Sequence, residues 1–142
     1  MLALHNVTRW IVLLTGAWAV IRAWRGYFQG GSWTSADTTA TRAFVIALDV
    51  QLLVGLLLYF VFSPLTRQAM SDIGAAMRDP SVRYFAVDHV TIMLLAIVAA
   101  HVGSARARRA TSDQAKFRMA AVWLGISLAA IAGFVPWFRP MI

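Results

Sequence analysis

The sequence predicts an all-α fold, an integral membrane bundle of four transmembrane helices. Three observations support this prediction. Hydrophobic residues make up 60% of the 142-residue chain and charged residues only 13%, which is more apolar than an ordinary soluble domain. The apolar residues fall into four continuous runs of about 20 residues, the length that a helix needs to cross a bilayer. The runs lack the alternation that is typical of a membrane β-barrel.

The four runs form a single transmembrane domain, residues 1–142, with helices expected at about 2–24, 42–62, 83–103 and 117–134. The connection between the first two runs is rich in Gly, Ser and Thr, which favours a loop. The aromatic segment 136–140 is typical of an anchor at a membrane interface.

A short amphipathic helix is predicted in the connection between the second and third runs. Ser63-Pro64 is a good helix start, and Asp79-Pro80 is a good stop. Between them Met70, Ile73 and Met77 recur at helical spacing, which predicts a helix lying on the membrane surface.

The charge distribution indicates membrane orientation rather than nucleic-acid binding. The net charge is +7, and the basic residues crowd between the apolar runs. Cytoplasmic loops of membrane proteins are rich in Lys and Arg, so no nucleic-acid partner is expected. The last connection is the most basic, since Asp113 is its only acid and its basic residues are Arg106, Arg108, Arg109, Lys116 and Arg118. This predicts a cytoplasmic connection and both termini outside.

Two histidines are candidate axial ligands of a haem iron. His5 lies near the outer end of the first run, and His89 lies about six residues into the third. Because a helix rises 1.5 Å per residue, their depths should differ by a few ångströms. Two imidazoles on neighbouring helices can bind the two faces of one haem. Alternatively, each imidazole only hydrogen-bonds across helices. The porphyrin edge would pack on Gly16, Met93, Trp10, Tyr84 and Phe85.

Arg9 is a second candidate for cofactor binding. It lies one turn from His5 on the same helix face and at about the depth of Asp88. A charge inside an apolar span needs a partner. That partner is either a haem propionate or Asp88, in which case Arg9 and Asp88 form a structural ion pair.

Asp49 and His101 are predicted to form a secondary polar pair. His101 follows His89 by twelve residues, a rotation of about 120°, so the two histidines do not share a helix face. Asp49 lies about two turns into the second helix from its inner end and could meet His101 there. The pair could serve as a proton relay, a quinone contact or a buried polar contact between helices.

Several kinds of site are excluded or disfavoured by the residue types. The chain has no cysteine, which excludes disulfides, thiolate-bound zinc and a thioether-attached haem. The His and Asp spacings do not form a three-ligand zinc site, and no serine has a His and an Asp at hand for nucleophilic catalysis.

Five motifs spread over nearly the whole chain support a family resemblance: HNVTRW at 5–10, QLLVGLLLYFVFSP at 51–64, RYFAVDHVTIM at 83–93, ATSDQAKFR at 110–118 and Pro136-Trp137. With them the chain resembles small four-helix bacterial inner-membrane proteins labelled cytochrome-b-like. The family's His-x3-Arg and Asp/Glu-His patterns match His5, Arg9, Asp88 and His89. Asp49 stands where the family often has a histidine, so no ligand is expected from the second helix.

The resemblance implies a b-type haem and a membrane electron-transfer protein of the bacterial inner membrane, rather than a stand-alone enzyme. Its expected partners are the lipid bilayer, a quinone and other subunits of a redox complex or further copies of the chain. Two other functions stay open. One is a haem-free structural or accessory subunit, and the other is a small proton-coupled transporter that uses Asp49 and His101.

Overall fold

A computed structural model describes residues 1–137, and over these residues the predicted all-α fold is confirmed. Its helices long and apolar enough to cross a membrane are Leu2–Gln29, Ser35–Phe62, Pro80–Arg109 and Asp113–Phe134. The end of the predicted aromatic anchor, residues 138–140, lies outside the described part of the chain.

The helices follow one another with short connections. They are α1 (Leu2–Gln29), α2 (Ser35–Leu57), α3 (Pro64–Ser71), α4 (Ile73–Arg78), α5 (Pro80–Arg83), α6 (His89–Arg109) and α7 (Asp113–Phe134). Two π-helical turns continue the spanning helices, one over Leu58–Phe62 after α2 and one over Tyr84–Asp88 before α6. Such turns are rare and occur frequently at functional sites.

The first connection is much shorter than the sequence predicted. Helix α1 runs five residues beyond 24 to Gln29, and Gly30 caps it with a φ of 64° and a ψ of 29°, which suit a residue without a side chain. Helix α2 begins at Ser35, seven residues before 42, because Asp37 caps it. The Asp37 carboxylate accepts hydrogen bonds from the backbone N–H and the hydroxyl of Thr34, at 2.8 and 2.9 Å.

The predicted amphipathic helix is present as two shorter helices, α3 and α4. Ser63 caps α3, as predicted, by accepting a hydrogen bond from the Thr66 N–H. Asp72 then takes an extended conformation and caps α4 through the Ala75 N–H, 2.9 Å away. An aspartate favours such a cap over a helix interior, which explains the break. The apolar side chains of Met70, Ile73 and Met77 are exposed.

The four long helices form an uneven ring. Helix α6 packs most closely on α7, and α1 packs on both α2 and α7, whereas α2 and α6 touch only sparsely. Helices α1 and α6 therefore lie diagonally across the bundle. Small residues allow the close contacts, since Gly103 of α6 faces Trp123 of α7 and Gly26 of α1 faces the buried Phe117.

The bundle has one strongly basic end. The Gln114 side chain donates a hydrogen bond to the Tyr27 carbonyl at 3.2 Å, so the first and third connections meet there. Eight of the thirteen basic residues lie on helix segments near this end, namely Arg22, Arg25, Arg42, Arg106, Arg108, Arg109, Lys116 and Arg118. The two connections therefore lie on the same side, as their charge predicted.

Candidate functional site

The structure brings His5 and His89 together at the end of the bundle opposite the basic connections. Their ring centroids are 6.4 Å apart and their planes cross at 71°. The predicted proximity is confirmed, but the helices that carry the rings are diagonal rather than adjacent. The two imidazoles therefore meet inside the bundle.

This separation can be compared with that of two imidazoles on opposite sides of one metal ion. A metal–imidazole bond is about 2 Å long and the ring centre lies about 1.1 Å beyond the nitrogen, so two axial rings stand about 6 Å apart. The observed 6.4 Å is close to that value. The spacing of the two rings therefore suits a shared metal.

The His89 ring is held on its Nδ1 side by the backbone carbonyl of Phe134, the last residue of α7. Its Nδ1 lies 3.2 Å from the Phe134 carbonyl oxygen, and the same oxygen accepts a hydrogen bond from the Tyr84 hydroxyl at 2.6 Å. A histidine whose Nδ1–H donates to a carbonyl presents the lone pair of Nε2. Metal-ligating histidines are usually oriented in this way.

The His5 ring is held by Gln51 of α2. The Gln51 side-chain nitrogen lies 3.3 Å from His5 Nε2 and donates to the His5 carbonyl at 3.0 Å. The Thr8 hydroxyl bonds the Gln51 side-chain oxygen and so fixes the amide. Within residues 1–137, His5 Nδ1 is buried without a hydrogen-bond partner. Because an amide nitrogen only donates, His5 Nε2 accepts from Gln51, so its lone pair is used and Nδ1 is a buried donor.

A cavity of about 550 Å³ lies beside both rings, within the usual size range of cofactor sites. Its lining includes the predicted Met93 and Phe85. The other expected contacts differ. Gly16 has no room for a porphyrin, since a Cβ there would lie 2.8 Å from Phe44. Trp10 packs on Trp137 with ring centroids 6.3 Å apart.

Arg9 lies in the wall of the same cavity and is buried, with 7% of its surface exposed. Asp88 forms its ion pair with Arg83, whose Nε lies 3.3 Å from Asp88 Oδ2. The predicted Arg9–Asp88 pair is not among the ion pairs of residues 1–137. The π-helical turn Tyr84–Asp88 explains why Asp88 pairs with Arg83 instead, because the wider coil of a π-helix brings residues five apart onto one face.

Asp49 and His101 meet as predicted, with 2.8 Å between Asp49 Oδ1 and His101 Nε2. Their side chains are 47% and 50% exposed, so the pair lies on the outside of the bundle and not between packed helices. It bridges α2 and α6 where these helices touch only sparsely. The prediction of a buried polar pair is therefore wrong about burial.

Sequence reasoning missed three groups of the site: Gln51, the Tyr84 hydroxyl and the Phe134 carbonyl. Gln51 had a signal, since it is a polar residue inside an otherwise apolar run. Tyr84 was expected only to pack on a porphyrin edge. Nothing in the sequence pointed to the Phe134 carbonyl, because every residue has a backbone carbonyl.

The fold and site together define a class: an all-helical bundle with four potential membrane spans and two facing histidines beside a cavity. Within residues 1–137, no three His, Cys, Asp or Glu side chains cluster as a metal site. No protein-family model, curated protein or solved structure matches the chain.

Proposed function

We propose that the protein binds one b-type haem between His5 and His89 and transfers electrons in a membrane. The observation that supports this most directly is the pair of imidazole rings 6.4 Å apart at the wall of a 550 Å³ cavity. The resemblance of the HNVTRW and RYFAVDHVTIM motifs to cytochrome-b-like proteins supports the same reading.

The residues around the cavity have distinct roles in this proposal. A bound haem supplies one-electron chemistry, while the protein sets its ligation and surroundings. The Phe134 carbonyl orients the His89 ring, whereas His5 would exchange its contact with the Gln51 side-chain nitrogen for the iron. Arg9 is the buried cation of the wall and would hold a propionate, since guanidinium binds carboxylates strongly.

The test is the absorption spectrum of protein purified after haem-supplemented expression, oxidised and then reduced. We expect a low-spin b-type spectrum that is lost in His5→Ala and in His89→Ala. The matched control is His101→Ala, which removes the chain's third histidine and should leave the spectrum unchanged. A colourless wild-type protein, or an unchanged low-spin spectrum in His5→Ala and in His89→Ala, would refute the proposal.

A second candidate is a haem-free structural or accessory subunit. The bonds from Gln51 to His5 and from His89 to the Phe134 carbonyl support it, because polar side chains commonly join membrane helices in this way. This candidate predicts a colourless protein in which the His variants lose thermal stability. A transporter has less support, since Asp49 and His101 lie on the outside of the bundle.

The proposed location is the bacterial inner membrane, with both termini outside and the basic end in the cytoplasm. The exposed apolar side chains of Met70, Ile73 and Met77 would then lie on the outward-facing surface of the inner membrane.

Because the chain has no cysteine, a single cysteine at Ser71 or at Thr111 gives an unambiguous label. An impermeant thiol reagent should label the first variant in intact cells and spare the second, and the reverse pattern would invert the topology. The proposed redox partners are a quinone and other subunits of a membrane complex.

A further inference from the structure

The bundle has a second, smaller cavity at its basic end, away from the two histidines. Its volume is about 230 Å³, and it lies between the last turns of α1 and the start of α2. Its polar lining includes Arg22, Arg25, Ser32 and Thr34, and Phe117 forms an apolar wall. Because Arg25, Ser32 and Thr34 are exposed, the cavity opens to the surface. It shares no lining residue with the cavity beside the histidines.

The cavity also contains one acidic residue, Asp37, whose carboxylate is already used by neighbouring groups. Asp37 Oδ1 lies 2.9 Å from Arg22 Nε. Asp37 Oδ2 accepts hydrogen bonds from the backbone N–H and the hydroxyl of Thr34. Arg22 bonds Asp37 through Nε alone, and within residues 1–137 its two terminal nitrogens make no hydrogen bond. A guanidinium has five N–H donors, so those of the terminal nitrogens are available to another acceptor.

Arg25 adds a second guanidinium to the same cavity. It follows Arg22 by three residues, so the two side chains lie on one face of α1. Arg25 is exposed, and within residues 1–137 it forms neither an ion pair nor a hydrogen bond. Like charges at this spacing repel each other, and the lining has two cations against one anion. The cavity therefore has an excess of positive charge that a bound anion would neutralise.

The length of α1 places this cavity at the level of lipid headgroups. The helix has 28 residues, or about 42 Å at 1.5 Å per residue, whereas the hydrocarbon core of a bilayer is about 30 Å thick. The ends of α1 therefore extend into the headgroup regions. Trp24 and Phe28 are exposed and stack with their ring centroids 5.5 Å apart, as in the aromatic belts at membrane interfaces. Lipid phosphates lie at the same level.

We propose that this cavity binds the phosphate of an anionic phospholipid, with Arg22 and Arg25 donating hydrogen bonds to its oxygens. Arginine binds phosphate strongly and often through two parallel bonds, and basic pockets between membrane helices suit anionic headgroups. A phosphatidylcholine headgroup fits less well, because its ammonium group would lie beside the two guanidiniums. Soluble inorganic phosphate offers the same oxygens and is the competing source. Binding here requires no haem, so the site goes beyond the proposed electron transfer.

The test is native mass spectrometry of the purified full chain, released from detergent micelles that contain phosphatidylglycerol or phosphatidylcholine. We expect one phosphatidylglycerol to stay bound to each chain and phosphatidylcholine to bind much more weakly. Arg25→Gln should lower the affinity about tenfold or more, because it removes charge-assisted hydrogen bonds. Gly31→Glu should do the same by placing a carboxylate in the cavity wall. A Cβ at Gly31 meets nothing within 4 Å, so this variant introduces no clash.

Two matched controls make the same charge changes at the same end of the bundle. Arg109→Gln removes one positive charge and Thr111→Glu adds one negative charge, and both positions are exposed and outside the cavity lining. Both variants should bind phosphatidylglycerol like the wild-type protein. Melting curves identify any variant that fails to fold, and Gly31→Glu keeps the test valid if Arg25→Gln is such a variant.

Two results would overturn the proposal: wild-type affinity in both cavity variants, or an equal loss in the cavity variants and the controls. The second would show that net charge alone attracts the lipid. Inorganic phosphate separates the two sources. If it raises the melting temperature of the lipid-free wild type but not of Arg25→Gln, and no phosphatidylglycerol stays bound, the cavity takes a soluble phosphate and the lipid assignment is wrong. Haem content is read separately by absorption, so a colourless protein that retains the lipid refutes only the haem.

Discussion

Replacing Gly103 by alanine should strongly disturb the contact between α6 and α7, the most extensive helix contact in the bundle. A Cβ at this position would lie 2.4 Å from the Trp123 Cβ and 3.5 Å from its Cα. Non-bonded carbon atoms rest about 3.5–4.0 Å apart, so α6 and α7 must separate by about 1 Å. The Trp123 Cβ is fixed to the backbone and cannot rotate away. We expect the free energy of unfolding to fall by about 1–3 kcal/mol, the usual cost of overpacking.

The assay is reversible unfolding of the purified protein in mixed micelles, followed by circular dichroism. Gly133→Ala is the matched control, since it lies in the same helix pair and a Cβ there meets nothing within 4 Å. Alanine is favoured over glycine in helices by up to about 1 kcal/mol, so this variant should be as stable as the wild-type protein or slightly more so. Equal stability of Gly103→Ala and wild type would show that α6 and α7 do not approach as described.

Three further substitutions test other contacts in the same unfolding assay. Asp37→Ala should cost at least about 1 kcal/mol, because it removes a helix cap and the buried partner that lies 2.9 Å from Arg22; stability equal to wild type would contradict the cap. Gln51→Leu should cost about 1–3 kcal/mol by leaving polar groups of α1 unsatisfied, and a more stable variant would mean that the amide does not hold α1. Tyr84→Phe should cost about 0.5–1.5 kcal/mol, the value of one hydrogen bond, since it removes the hydroxyl that bonds Phe134; no change would place that hydroxyl in solvent.

The sequence was sufficient to predict the helical architecture because long apolar runs have few other structures available. Boundaries were less predictable. The first helix was expected to end at 24, yet Arg25 and Gln29 continue it, since both are good helix formers. Asp72 divided a predicted amphipathic helix because its carboxylate caps the Ala75 N–H. Helix capping competes locally with helix continuation, and the hydrophobic pattern of a sequence does not reveal which residue will cap a helix.

The candidate site was predictable in part, for a physical reason. Depth along a helix follows from counting residues, so His5 and His89 could be placed at one level. Which helices are adjacent depends on packing, and the diagonal placement of α1 and α6 was not foreseen. Pairing also depends on the local helix type. Arg83 and Asp88, five residues apart, meet only because a π-helical turn separates them.

The Phe134 carbonyl has a consequence for how the protein is made. Chains are synthesised from the N-terminus, so α1, α2 and α6 leave the ribosome before α7. The nascent chain then already contains both imidazoles, but the oxygen that anchors His89 belongs to the last residue of α7. The site is therefore completed only when α7 has docked on α6. Assembly of the histidine pair is coupled to insertion of the final helix.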